Sequence, residues 1–256
     1  MLYGLWCMAI HHPPSTIHHK PHYLNSPSPV TFNQPDSSAW TLDNDVHIWK
    51  IPAVDKGFSL LTSSEREIAG RFRFDGDRNR FAAGRHALRL LISKYLSVNP
   101  EQISIIAQKG QKPFIDFPSC DIHFNISHSG DLILIAFSKK ELGVDIEQRN
   151  PDFDFYDILG EHFNTAEKLF ISGPGDQVKS FYHLWTRKEA LAKALGRGLR
   201  ENLIVFNTLE DLLELDNKAW KLESFEIPES YHAAIAYSGE LESPVYFDGG
   251  SLQSLA

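Results

Sequence analysis

The segment "GVDIE", residues 143–147, sets a glycine ahead of two carboxylates that are separated by a single isoleucine. On a strand, side chains two residues apart share a face, so Asp145 and Glu147 project together while Ile146 points into the core. Two hard oxygen ligands on one face suit Mg²⁺, which takes one or two carboxylates along with waters and phosphate oxygens. The same alternation also describes the wet face of an ordinary strand. The rest of the chain has to decide between the two.

Downstream, "QVKSFYHLWTRKEALAKAL", residues 177–195, reads as a long helix ending at Gly196. Phe181, Trp185, Glu189 and Lys193 recur every four residues and so form one slowly drifting stripe. A core-facing stripe that starts with two large rings and ends in charge needs partners for that charge. A third carboxylate for a cation and an ammonium for phosphate oxygens would supply a reason; an exposed Glu–Lys pair is the plainer one.

Upstream, "KGQKP" presents Lys109 and Lys112 on a turn held by Gly110 and Pro113. "FNISHSGD" puts Ser127 and His128 at a strand end, beside backbone amides able to cradle an anion. "DRNRFAAGRHALRLLISKYL" reads as a helix with Phe81, Leu88, Leu91, Ile92 and Tyr95 on its apolar face. Its Arg80, Arg85 and Arg89 offer forked contacts to phosphate. Ser64 and Glu67 stand at capping-box spacing ahead of it. "VHIWKI", "ISIIA", "LILIAF", "WKLESFEI" and "YHAAIAYS" read as strands. The order predicts an α+β fold of two halves meeting near residue 142. Residues 1–40 form a Pro/His-rich extension, 41–142 and 143–240 the halves, and 241–256 a tail.

The chain has 256 residues, 42% of them hydrophobic, and a net charge of −8, which fits a soluble protein with a substantial core. Cys7 and Cys120 make no disulfide framework, "LILIAF" is far too short to cross a bilayer, and the apolar opening lacks the marks of a secretion signal. The expected location is the cytoplasm, with no membrane contact. His11, His12, His18, His19 and His22 in the extension could bind a metal ion, but flexible His-rich tails often have no such role. Neither a GxSxG elbow, a Walker loop, HExxH nor a strand-following GxGxxG occurs, so these hydrolase and nucleotide classes fall away.

In order and separation, "QKP", "FNISHSGD", "GVDIE", "FNTAE" and "FYHLWTRKEALAKALGRGL" resemble the 4′-phosphopantetheinyl transferases of the surfactin-synthetase-activating type, from about Val46 to Tyr237. The resemblance implies a pseudo-dimer of two similar α+β halves, with coenzyme A as co-substrate in the cleft between them. It implies transfer of phosphopantetheine to a serine of an acyl or peptidyl carrier protein, an acidic helical bundle, with release of 3′,5′-ADP. Mg²⁺, or Mn²⁺, would be held by Asp145, Glu147 and Glu189. Lys193 would stabilise developing charge. Glu189 is the first candidate for general base, directly or through a water, and Glu167 the second, although "NTAE" is also a capping box with Asn164 as cap. Lys112, Pro113, Ser127 and His128 match residues that hold coenzyme A. Where some members carry phosphate-binding lysines this chain has Glu65 and Ile68, so Arg80 and Arg85 are expected to supply that charge.

Two rivals remain at this stage. Residues 66–89 carry seven arginines interleaved with Phe72, Phe74 and Phe81, as in a nucleic-acid-binding module, which would leave the three carboxylates unexplained. A two-metal phosphodiesterase would use those carboxylates but need no carrier protein. The expectation is no nucleic acid, and a monomer.

Overall fold

Gly143 explains how the two strongest sequence signals come to lie together. A Cβ there would stand 2.2 Å from the Ala190 carbonyl oxygen and 2.3 Å from the Ala194 nitrogen, both backbone atoms of the helix above it. Only a bare Cα lets that helix settle onto this strand.

The computed structural model describes residues 24, 26–54, 59–107, 112–196, 203–228, 230–240 and 242–252. Its elements are β1 (Ser28–Pro29), β2 (His47–Pro52), α1 (Ser63–Gly70), α2 (Asp75–Leu96), β3 (Ser104–Ile106), β4 (Phe114–Phe117), β5 (His123–Ser129) and β6 (Leu132–Ser138). There follow β7 (Leu142–Gln148), α3 (Tyr156–His162), α4 (Thr165–Ile171), α5 (Gln177–Ala194), β8 (Leu212–Leu215), β9 (Lys218–Ile227), β10 (Tyr231–Ser238) and β11 (Val245–Asp248). The fold is mixed α+β.

Two sheets carry it. One runs β1-β9-β10-β7, with β8 also on β9; the other runs β11-β2-β6-β5. Each begins with a parallel pair and continues antiparallel. α2 covers one sheet through Leu88, Leu91 and Ile92, packed with Trp49, Ile135 and Phe137. α5 covers the other, where Ala190, Leu191 and Ala194 cluster with Leu222, Ala234 and Ala236. The opposite faces meet in a shared layer of Ile48, Leu134, Val144, Ile146, Phe225 and Ile235. The stacking is therefore helix, sheet, sheet, helix. Val144 and Ile146 enter the inner layer, leaving Gly143, Asp145 and Glu147 on the α5 side.

The expected extension and tail differ from what the structure shows at their inner ends. Ser28–Pro29 pairs with Phe225 and Glu226, Asn33 bridges to Phe247, and Trp40 stacks on Trp49. Val245–Asp248 pairs with His47–Lys50. Each terminal arm thus closes the sheet edge of the other half, a long-range pairing that leaves no periodic trace in short Pro- and Ser-rich segments. The His-rich stretch and Lys109 lie outside the described residues.

The first cap also differs. Thr62, not Ser64, accepts from the Glu65 amide, and Glu65 returns the bond to the Thr62 amide. Arg89, 3.0 Å away from the same carboxylate and buried, pulls Glu65 inward and fixes the register. The Glu65 side chain is therefore an internal anchor between α1 and α2.

Candidate active site

β5 and β7 are edge strands of different sheets, and side chains join them. Asn125, Ser127 and Ser129 alternate along β5 and all reach β7. The Asn125 side-chain oxygen accepts from the Val144 amide at 2.9 Å. Ser127 Oγ donates to Asp145 Oδ1 at 2.9 Å. Ser129 Oγ donates to Glu147 Oε2 at 2.9 Å and accepts from the Gln148 amide at 3.0 Å. The seam is thus a ladder of polar side chains, and it is where the predicted residues collect.

α5 completes the group from above. Lys193 Nζ lies 2.6 Å from Asp145 Oδ1 and 2.9 Å from Ser127 Oγ. Glu189 is buried one turn earlier, and Trp185 follows beside Glu147. Burial, then the charge of Asp145, pushes the carboxyls of Glu147 and Glu189 up to about 7. Among the described residues, Asp145 Oδ2 and Glu189 Oε1 are enclosed and meet no hydrogen-bond partner. A buried acceptor without a donor is costly and unusual. Three carboxylates, mutually repelling, with two orphaned oxygens, form a donor set that fits a hard divalent cation. Among the described residues, no three such side chains are already drawn in to ligand distance, and Lys193 holds one Asp145 oxygen.

At the far end of β5, Arg80 Nη1 donates to the Gly130 carbonyl at 3.1 Å. His128 reaches the surface there, and partial desolvation of its ring, then the Arg80 charge, lowers its pKa. Lys112 donates to the Leu142 carbonyl at 2.5 Å, and burial pushes its ammonium down to about 8. It lines a cavity of about 350 Å³ with Pro113, Phe114, Cys120 and Gly196. Cationic side chains thus stand at both ends of one polar seam, Lys112 at a cavity and Arg80 paired with Asp77, an arrangement that suits an extended, multiply charged ligand.

Two predicted residues are placed elsewhere. Arg85 lies over the Phe81 ring and 4.0 Å from Glu65, so its charge balances that buried carboxylate. Glu167 is fully enclosed; Oε1 accepts from both the Thr208 amide and hydroxyl, and Oε2 accepts from the Asn164 amide and pairs with Lys188 at 2.9 Å. With every acceptor direction used inside the fold it has nothing to offer a substrate, and the capping-box reading takes over from that of a general base. Ser129 and Asn125 escaped the sequence reading, although the polar alternation N-x-S-x-S is their signal.

Residues 52–140 match the profile described as "4′-phosphopantetheinyl transferase, N-terminal", and residues 141–240 match the 4′-phosphopantetheinyl transferase superfamily. The transferase HetI of Nostoc sp. is 34% identical over 212 residues, 77% of this chain and 90% of that protein. Sfp of Bacillus subtilis is 32% identical over 180 residues, 69% and 75% of the two chains. Gsp of Aneurinibacillus migulanus is 40% identical over 116 residues, covering 43% and 47%. The two profiles meet end to end at the start of β7, and with these relatives they establish that the chain belongs to the 4′-phosphopantetheinyl transferase family.

Proposed function

We propose that the chain moves 4′-phosphopantetheine from coenzyme A to a serine of an acyl or peptidyl carrier protein, an acidic helical bundle, in a Mg²⁺-dependent reaction. The observation that carries this reading is the seam itself: Asp145 and Glu189, buried with unpartnered oxygens, beside Lys193 and Ser127. Coenzyme A would lie along the seam in the cleft of a pseudo-dimer, its anionic groups toward Arg80, His128 and Lys112. The like pairing order of the two sheets supports that internal symmetry.

The serine Oγ attacks the β-phosphorus, the bond from that phosphorus to the bridging oxygen breaks, and 3′,5′-ADP leaves with the electron pair. Glu189 takes the serine proton directly or through a water, the latter being favoured because a cation held by the same carboxylate lowers its pKa. Lys193, steadied by Ser127 and Asp145, places its charge where negative charge builds between the phosphates. Asp145, Glu147 and Glu189 would hold Mg²⁺, which supplies charge neutralisation at the pyrophosphate. The chain acts as a cytoplasmic monomer in this reading; among the described residues no helix is long and apolar enough to cross a membrane.

Intact-mass measurement of apo carrier proteins incubated with the chain, coenzyme A and Mg²⁺ tests the reaction. A gain of one phosphopantetheine on serine is expected; cleavage of coenzyme A with no carrier modified would indicate a phosphodiesterase and overturn the proposal. Ser129→Ala removes the hydroxyl that orients Glu147. Loss of a hydrogen bond behind a metal-binding carboxylate costs about 10–100-fold in metal affinity. The rise in melting temperature on adding Mg²⁺ should therefore need correspondingly more cation in this variant, and Ser129→Thr should restore it.

A further inference from the structure

The Arg/Phe-rich segment plays no complete part in the chemistry above, and the structure sorts its side chains into two sets. Arg80, Arg85 and Arg89 turn inward. Arg66, Arg71 and Arg73 are exposed and Arg78 half-exposed, around Ile68, Phe72 and Phe74 at the corner between α1 and α2. These three apolar side chains, within seven residues of chain, are 44%, 40% and 62% exposed. Scattered surface hydrophobes need no explanation, but a contiguous group of them rimmed by charged side chains, here four arginines with Glu67, Asp75 and Asp77, marks an interaction surface.

Phe74 is the telling residue. It occupies the N-cap of α2 in extended conformation and makes no side-chain cap bond. Ser, Thr, Asp and Asn are the residues that stabilise this position, so the helix forgoes a cap to hold an aromatic ring in water, with the Arg73 guanidinium 5.3 Å from its centre. Folding gains nothing evident from this choice.

Charge decides the occupant. The chain as a whole carries −8; of two further exposed aromatic pairs, Phe153 and Tyr156 sit among exposed Asp152, Asp154, Asp157 and Glu161, and Phe114 and Phe117 lie on β4 with Asp116 between them. The α1–α2 corner has a small basic excess, four arginines against Glu67, Asp75 and Asp77, with Arg66 and Arg73 outside the ion pairs that Arg71 and Arg78 make. It also borders the seam: Phe74 lies six residues, about 9 Å of helix, from Arg80, which touches the loop beside His128.

We infer that Ile68, Phe72 and Phe74, with Arg66, Arg71 and Arg73, form the docking surface for an acidic partner protein that presents apolar side chains, namely the carrier that accepts phosphopantetheine. This rests on the proposed transfer reaction. Paired surface charges such as Arg71–Glu67, at 2.5 Å, are weakly held and exchange readily for a partner's carboxylates. Steering of this kind appears in the association rate and in its salt dependence.

The test uses the full chain with a fluorescently labelled apo acyl carrier protein. Arg71→Glu/Arg73→Glu should raise the KM for carrier tenfold or more, flatten its dependence on salt and leave the KM for coenzyme A unchanged. Phe74→Ser should raise the carrier KM as well, yet melt at the same temperature as the parent or higher, because serine caps the helix. If Phe74→Ser lowers the melting temperature and leaves the carrier KM alone, the ring is packing and the proposal is wrong. It is equally wrong if the charge reversal changes binding of a 20-nucleotide RNA but not of carrier. Should the parent chain modify no carrier at all, the reaction fails, and labelled-carrier binding by anisotropy still judges the surface.

Discussion

Glu189→Gln is expected to reduce phosphopantetheine transfer by about a thousandfold while making the metal-free protein more stable. The first effect follows from removing both the proton acceptor and one cation ligand; general-base loss alone costs 10²–10⁴-fold. The second comes from the repulsion built into the site. Glu189 is buried against Asp145 and Glu147, and its pKa is raised from 4.5 to about 7. A carboxyl whose folded pKa lies above its unfolded one binds its proton more tightly when folded. Stability is therefore fully present below pH 4.5, is lost as pH rises toward 7, and the loss is complete above that. At 1.36 kcal/mol per pKa unit the penalty is on the order of 3 kcal/mol at alkaline pH. With a chelator present, the glutamine variant should melt above the parent at pH 8 and level with it near pH 4.5. Adding Mg²⁺ should close the gap at pH 8, since the parent gains a ligand that the variant cannot hold fully. Equal activity of the two proteins would remove Glu189 from the site.

That opposition between stability and chemistry also marks what the sequence could convey. Asp145, Glu147, Glu189 and Lys193 were legible because strand and helix periods put them on defined faces, and a local period is a local property. Gly143 carried information of another sort: it stands where a helix backbone presses on a strand, although nothing in its neighbours says which helix. Ser129 and Asn125 were harder, since their roles come from a strand 18 or 19 residues away in sequence that lies edge to edge with their own. The terminal arms were illegible for the same reason carried further, because Ser28–Pro29 pairs with residues almost two hundred positions on. Arg85 turns to Glu65, a carboxylate twenty residues upstream on another helix, which the pattern of α2 alone does not reveal. In each miss a partner distant in the chain outweighed a local pattern.

Glu167 gives the second large effect, and here fold and chemistry separate in the opposite direction. Glu167→Ala is expected to cost about 3–5 kcal/mol of stability, the usual result of stranding one member of a buried ion pair. Lys188 would keep its bonds to the Leu203 and Phe206 carbonyls, at 3.0 and 2.9 Å, but lose its only described counter-charge in a fully buried position. Burial already lowers the pKa of this lysine, so the lone ammonium would shed its proton or open the packing. The Thr208 amide and hydroxyl would lose their acceptor, and α4 would lose half of its capping box. Against a typical total of about 5–15 kcal/mol, that is a large share. Urea unfolding should show a midpoint shifted sharply down at unchanged slope. Glu167→Gln/Lys188→Met, which removes both charges, should recover much of the loss, as buried pairs replaced together commonly do. The decisive comparison is turnover per folded molecule at low temperature, where Glu167→Ala should retain near-parental kcat while Glu189→Gln should not. A thousandfold drop in both, with Glu167→Ala still folded, would return Glu167 to the catalytic set and displace the account of the seam given above.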